Sequence, residues 1–350
     1  MINGRTIGVV IPAYNEEKQI GKVVRSIPDF VDRIVVVDDG STDRTVEAAL
    51  RHRTDDRLAD RLFVLKRENN RGVGRAIAEG YKWMLARQVD IAAVMAGDGQ
   101  MDPRELPKIV RPVVDGEVDY VKGSRRLKGS SWRKIPKERL VGNAILSVLT
   151  RIVSGYWSII DSQSGYTAIS ARALKALDLD RIYDGYGVPN DILTKLNICG
   201  LRIAQVAIEP VYNVGEQSKM KVGRIVFPIL KLLLRLFFSR IFARYAAVDL
   251  HPIIFFYLLA IALLVLGSAG AVASLALDLA QAFRIALDIG VLRGWMPAFE
   301  VTLLFGLNLL LLSMWMDMDE NKHLQINLPD ERIYDEVAIG ETSDRSASAP

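Results

Sequence analysis

The chain has 350 residues, half of them hydrophobic and a quarter charged, with 45 Lys and Arg against 41 Asp and Glu. That composition excludes a disordered chain, and a net charge of +4 gives no reason to expect a nucleic-acid partner. A single cysteine, Cys199, excludes an intramolecular disulfide and fits a reducing compartment.

The first half alternates strand and helix. Ile7–Ile11 is a continuous apolar run, as a strand buried on both faces should be, and it is too short for a signal peptide. A helix is expected over Glu17–Ser26, a strand over Ile34–Val37 and a helix capped by Asp43 through Leu50. Leu62–Leu65 reads as a strand, Gly74–Leu85 as a helix, Ile91–Met95 as a strand, and Asp102-Pro103 as the start of a helix over Arg104–Val113. Such alternation implies a doubly wound, mostly parallel α/β sheet. Ligands then bind beyond the carboxyl ends of the strands.

Every motif falls at such an end. The first strand ends in Ile11-Pro12-Ala-Tyr14-Asn15-Glu16, and the second in Val37-Asp38-Asp39-Gly40-Ser41. After the third comes Asn69-Asn70-Arg71-Gly72-Val-Gly74-Arg75, glycine-rich backbone at a helix start that suits an anion. Gly80 in that helix is expected to permit close packing. The fourth strand ends in Ala96-Gly97-Asp98-Gly99-Gln100. With Asp102 used as a cap, Asp98 and Gln100 can act as hard oxygen ligands for Mg²⁺ or Mn²⁺. Paired strand ends carrying acids make a cleft for a cation and the diphosphate it neutralises.

The second half is different. Pro252–Leu277 and Met296–Met316 are apolar runs, each longer than the roughly 18–20 residues that cross a bilayer. Glu300 near one end of the second can reach the interface. Lys219, Lys221, Arg224, Lys231, Arg235, Arg240 and Arg244 precede the first run, whereas the connecting loop carries only Arg284 and Arg293. The positive-inside rule then puts the N-terminal domain and both termini in the cytoplasm. Residues 222–248 read as a basic amphipathic helix in the interfacial plane, broken near Pro228 or Ser239. The segment after Met316 is acidic, beginning with Asp317 and Asp319, and 319–350 is expected to be a disordered cytoplasmic tail. The expected divisions are 1–218, 219–248, 249–318 and 319–350. Gly267, Ser268 and Gly270 could let paired spans associate into a homo-oligomer.

Taken together, the motifs of the first half resemble those of the family 2 glycosyltransferases of GT-A fold, and among them the polyprenyl-phosphate (dolichyl-phosphate) mannose and glucose synthases. The likeness runs from residue 5 to about 220. It includes Lys122-Gly123-Ser124-Arg125, Asp161-Ser-Gln-Ser-Gly165-Tyr166-Thr-Ala, Gly185-Tyr-Gly-Val-Pro-Asn-Asp191 and Gly215-Glu-Gln-Ser218-Lys219. The resemblance implies a GT-A Rossmann-like sheet with helices on both faces, followed by interfacial helices and two transmembrane helices. It implies that Pro12, Tyr14, Glu16, Val37, Asp39, Gly72 and Asp98 hold a UDP- or GDP-sugar. Asp98 and Gln100 would hold the divalent metal. Arg125, Arg139, Ser218 and Lys219 would receive the phosphate of a polyprenyl phosphate, and Asp98, Arg125, Arg139 and Asp191 would carry the catalysis.

Two departures stand out. The family's Asp-x-Asp is Ala96-Gly97-Asp98 here, with Asp102 as the nearest acid to replace the first. Tyr212-Asn213-Val214 stands where the family has an Arg before Gly-x-Ser-Lys. A lipid hydroxyl acceptor, with Asp191 as base, is the alternative activity, and an inactive membrane scaffold a remote one. Two spans are too few for a polysaccharide channel, which argues against a processive synthase unless the chain oligomerises.

Overall fold

The structure, a computed structural model, describes residues 1–125, 137–209, 211, 222–247, 250–282 and 290–328. The chain forms two compact units, one of Met1–Phe237 with the segment from His323, the other of Phe238–Lys322.

The first unit is built on one eight-stranded sheet: β1 (Ile7–Ala13), β2 (Arg33–Asp38), β3 (Leu62–Lys66), β4 (Ile91–Val94), β5 (Tyr120–Ser124), β6 (Thr167–Ser170), β7 (Ile203–Ala207) and β8 (Gln325–Ile326). Their spatial order is β3-β2-β1-β4-β6-β5-β7-β8. Only β6 runs antiparallel to its neighbours, β4 and β5. Because it reverses between them, β4 and β5 point the same way and their carboxyl ends share one edge.

Helices cover both faces. Apolar residues of α1 (Ile20–Ser26), α2 (Thr45–Leu50) and α4 (Leu106–Val114) join Val9, Ile11, Val36 and Val121 in one core. Those of α3 (Val73–Ala86), α6 (Ala171–Ala176) and α7 (Val188–Ile198) join Val10, Val35, Tyr120 and Ile203 in the other. The strands read as unbroken apolar runs because both faces are covered. Gly80 is where α3 meets β1, since a Cβ there would lie 2.2 Å from Val10 Cγ1.

The first helix starts at Ile20, not Glu17. Residues 15–17 are drawn into the loop by the neighbouring strand end: Glu16 N donates to Thr45 Oγ1 at 2.8 Å and Glu17 N to Asp43 Oδ2 at 3.2 Å.

After α5 (Lys137–Ser154) and α7, the chain forms α8 (Val222–Tyr245), continuous through Pro228 and Ser239 where the sequence predicts a break. Pro228 lies near the start, where it removes one donor. One turn on, Leu232, Leu233 and Leu236 are buried in a cluster with Val153, which holds the helix past it. The opposite stripe of α8, Phe227, Leu230, Leu234, Phe238 and Phe242, is exposed, with Lys231 and Arg235 exposed beside it.

The second unit contains α9 (Ile253–Ala282) and α10 (Gly290–Glu320). Within them Ile253–Ala276 and Gly294–Glu320 are long and apolar enough to cross a membrane. They pack backbone to backbone: a Cβ at Gly267 would lie 2.7 Å from Leu303 Cα, and one at Gly306 2.9 Å from Leu264 N. A Cβ at Gly270 would strike the Phe299 ring. The glycines that could serve oligomerisation therefore pack α9 against α10 of the same chain.

Asp317 is not part of an acidic tail. It lies inside α10, fully buried, and binds Arg240 of α8 through two 2.8 Å bonds. Tyr245 Oη donates to it at 2.6 Å and Asn321 Nδ2 at 3.0 Å. Nor does disorder begin at 319. Lys322–Leu324 form a 3₁₀ turn, Leu324 is buried, and Gln325–Ile326 pair in parallel with β7. Apolar Leu324, Ile326 and Leu328 supply the contacts to the two cores that composition after Met316 does not suggest.

Candidate active site

The expected nucleotide residues gather at one edge of the sheet. Pro12 closes β1, with Tyr14 and Glu16 in the loop beyond, Val37 and Asp39 at the end of β2, Gly72 ahead of α3, and Asp98 and Gln100 after β4. Hydrogen bonds knit these loops together. Asn15, in left-handed backbone at φ 54°, donates its N to Ser41 Oγ at 2.9 Å and accepts from Thr42 N at 2.8 Å. Gly97 N reaches Pro12 O at 3.2 Å. A Cβ at Gly97 would crowd Ala13 and Ile20 at 3.2 Å, so a side chain there would make one of them give by a few tenths of an ångström.

Asp39 is 3% exposed. Its Oδ1 accepts from Arg67 Nη1 at 2.8 Å and Arg71 N at 3.1 Å, and its Oδ2 from Gly72 N at 2.8 Å. It therefore shapes the glycine loop before it can read a base. That loop docks in turn on the start of α7. Gly74 N donates to Asp184 O at 2.8 Å. A Cβ at Gly74 would lie 1.9 Å from Tyr183 O, and one at Gly72 2.4 Å from Asp184 O. Asp191, also 3% exposed, holds the far side: its Oδ2 accepts from Tyr183 N at 2.9 Å and Lys195 Nζ at 2.7 Å. Two buried carboxylates thus clamp two loops that rest on each other.

Asp98 is half-buried, and its Oδ1 accepts from Gln100 N at 2.9 Å, with Gly99 at φ 77° turning the chain. Asp102, six residues past Ala96, is held in its own turn. It caps the next turn, accepting from Arg104 N at 2.9 Å and Arg104 Nη2 at 2.7 Å. Those Arg104 hydrogen bonds hold its carboxyl below the usual range, against a smaller opposing effect of burial. Among the described residues no cluster of three or more His, Cys, Asp or Glu side chains forms. One carboxylate and one amide oxygen cannot cage an ion alone. They do fit a divalent cation that draws its remaining ligands from a diphosphate and water.

Arg125 follows β5 on the same edge. Its Nε and Nη2 donate to Asp161 Oδ2 and Oδ1 at 2.8 and 3.0 Å, and its backbone N to Oδ2 at 3.2 Å. Tyr166, five residues past Asp161, donates its hydroxyl to Asp102 O at 3.0 Å and so ties this turn to the Asp98 loop. Burial pushes the Asp161 carboxyl up, but the hydrogen bonds and charge of Arg125, with the charge of Lys122, outweigh it and leave the group lowered. A lowered folded-state value means that the pair stabilises the fold above the ordinary carboxylate range. That contribution is lost as pH falls through the lowered value. Asp161→Asn is expected to melt below wild type at pH 7 and to close the gap toward pH 3, read by thermal unfolding across that range.

Arg139 lies in the first turn of α5, with its side chain outside the described residues; Ser218 and Lys219 lie outside them too. Two groups escape the motif reading: Asp161, the anchor of Arg125, and Lys122, fully buried in β5. Their sequence signals are that Lys122 opens the Lys-Gly-Ser-Arg motif and Asp161 opens the segment leading to Gly165-Tyr166.

The chain matches glycosyl transferase family 2 over residues 8–178. A UDP-N-acetylglucosamine–dolichyl-phosphate N-acetylglucosaminyltransferase of Methanococcus voltae is 32% identical over 242 residues, spanning 66% of this chain and 96% of that protein. An undecaprenyl-phosphate mannosyltransferase of Micrococcus luteus is 34% identical over 219 residues, 61% of this chain and 87% of that one. Among solved structures, glucosyl-3-phosphoglycerate synthase of Mycobacterium tuberculosis, in complex with Mn²⁺, UDP and glucosyl-3-phosphoglycerate, is similar with a TM-score of 0.50 at 25% identity, covering 68% of this chain and 80% of that one. The chain belongs to glycosyl transferase family 2, and its sheet is that of the GT-A fold. It is a glycosyltransferase.

Proposed function

We propose that the protein transfers a sugar from a UDP- or GDP-sugar to a polyprenyl phosphate at the cytoplasmic face of a membrane, inverting the anomeric centre. The observation that carries this reading is the match to two polyprenyl-phosphate sugar transferases over 96% and 87% of their lengths. The membrane-side features support it. Two helices are long enough to span. The exposed apolar stripe of α8, with Lys231 and Arg235 beside it, suits an interface of acyl chains and anionic headgroups. Because β8 adds to the sheet after the second span, both ends of the hairpin connect to the first unit, which supports a cytoplasmic C-terminal segment.

In this reading Tyr14, Glu16, Asp39 and the glycine loop it shapes enclose the nucleotide. Asp98 and Gln100 would hold a divalent cation, which when bound neutralises the departing diphosphate. Arg125, kept in place by Asp161, orients the acceptor phosphate together with Arg139, Ser218 and Lys219. A phosphate monoester has its second pKa near ~6 and is already the nucleophile at pH 7. No base is required.

Asp191 separates this reading from a hydroxyl acceptor. It is buried, with Oδ2 already taking two donors, which suits a residue that positions the 183–188 segment better than a base. An asparagine can still accept from Tyr183 N and Lys195. Asp191→Asn is therefore expected to retain transfer within about tenfold. Loss of a general base would instead cost ~10²–10⁴-fold. Initial rates of wild type and variant with polyprenyl phosphate decide it, and a loss in the larger range would restore the hydroxyl acceptor.

A further inference from the structure

Among the described residues, Lys122 is a fully buried cation at this edge that the mechanism above leaves unused. The pleat of β5 puts it on the same face as Tyr120, which belongs to the core covered by α3 and α7. A leucine or methionine would fill that space without burying a charge. The amine instead donates to Ser164 O, inside the turn that begins at Asp161. The same turn is gripped from its other end by Arg125, through three hydrogen bonds to Asp161, whose Oδ1 also accepts from Gln163 N at 3.3 Å. Lys122, Asp161 and Arg125 thus form one unit spanning the end of β5 and the facing turn.

We propose that Lys122 is a positioning residue: it fixes the Asp161–Gly165 turn and, through Asp161, sets the direction of the Arg125 guanidinium toward the acceptor phosphate. It is fully buried and does not itself touch substrate. Burial pushes its amine down to about 8, the Asp161 charge opposing that fall and the Arg125 charge adding to it. An approaching phosphate adds negative charge to a group of two cations and one anion, and so favours the protonated amine that makes the Ser164 contact.

The proposal rests on the polyprenyl-phosphate reading, and the experiment separates the two. Full-length wild type, Lys122→Met, Arg125→Lys and the double variant are assayed with the nucleotide sugar and the polyprenyl phosphate varied in turn. Lys122→Met is expected to raise the acceptor KM at least tenfold and leave the donor KM within twofold. In the Arg125→Lys background the same change is expected to add less than twofold, because the path it acts through is already broken. If Lys122→Met does not fold, Lys122→Gln, which keeps a donor in the slot, is expected to show the same split with a smaller rise. Unchanged kinetics, donor and acceptor KM moving together, or full additivity with Arg125→Lys would overturn the proposal. A wild type inactive on polyprenyl phosphate but active on a lipid hydroxyl would overturn the acceptor reading itself.

Discussion

Asp98→Asn is expected to lower turnover about a thousandfold while the protein keeps its fold. A bound divalent ion supplies several kcal/mol of charge stabilisation to a departing diphosphate, and each ~1.4 kcal/mol is tenfold in rate. In the proposed reading Asp98 holds that ion, since Ala96 has no side-chain oxygen and Asp102 already accepts hydrogen bonds from Arg104. The asparagine can still accept from Gln100 N, so the turn it caps should survive. Mn²⁺ affinity in the presence of UDP or GDP, measured by calorimetry, should fall in step with the rate. Turnover within tenfold of wild type would assign the metal, or the charge it supplies, to other groups.

The second large effect lies outside the active site. Arg240→Leu is expected to destabilise the second unit by about 3–5 kcal/mol, because it leaves the fully buried Asp317 without its counter-charge. Tyr245 and Asn321 keep donating to Asp317, but neither carries a charge. Arg240→Leu combined with Asp317→Leu should recover most of the loss, since an apolar pair of similar volume is often neutral. Unfolding midpoints in one detergent compare the three proteins. A double variant no better than the single would mean that the network's value lies in its geometry and not in charge compensation.

Both cases show where the sequence was legible and where it stopped. Strands β1 to β4 were readable because burial on both faces leaves unbroken apolar runs. Their loops were readable because each ends in residues that bind or cap. Strands β5 to β8 were not assigned: β5 interrupts its run with Lys122 and Gly123, β6 is polar at both ends with Thr167 and Ser170, β7 is broken by Gln205, and β8 has two residues after two long apolar helices. Pairing that spans more than a hundred residues, as β7 with β8 does, leaves no local pattern.

The site followed the same division. Which residues stand at the sheet edge could be read from motif order. What each side chain does there depended on distant partners. Asp39 is drawn to the backbone of Arg71 and Gly72, Arg125 to Asp161 and Asp317 to Arg240. An acid counted as tail by its neighbours in sequence became half of a buried ion pair by its neighbours in space. The glycines of α9 were legible as close-packing positions, but not which helix they would pack against.

The most direct test of the account is transfer by the purified chain, with Mg²⁺ or Mn²⁺, polyprenyl phosphate and a panel of labelled UDP- and GDP-sugars. The account predicts a metal-dependent, mild-acid-labile glycolipid from one of these donors. Donor hydrolysis alone, or label appearing only on a lipid hydroxyl, would contradict it.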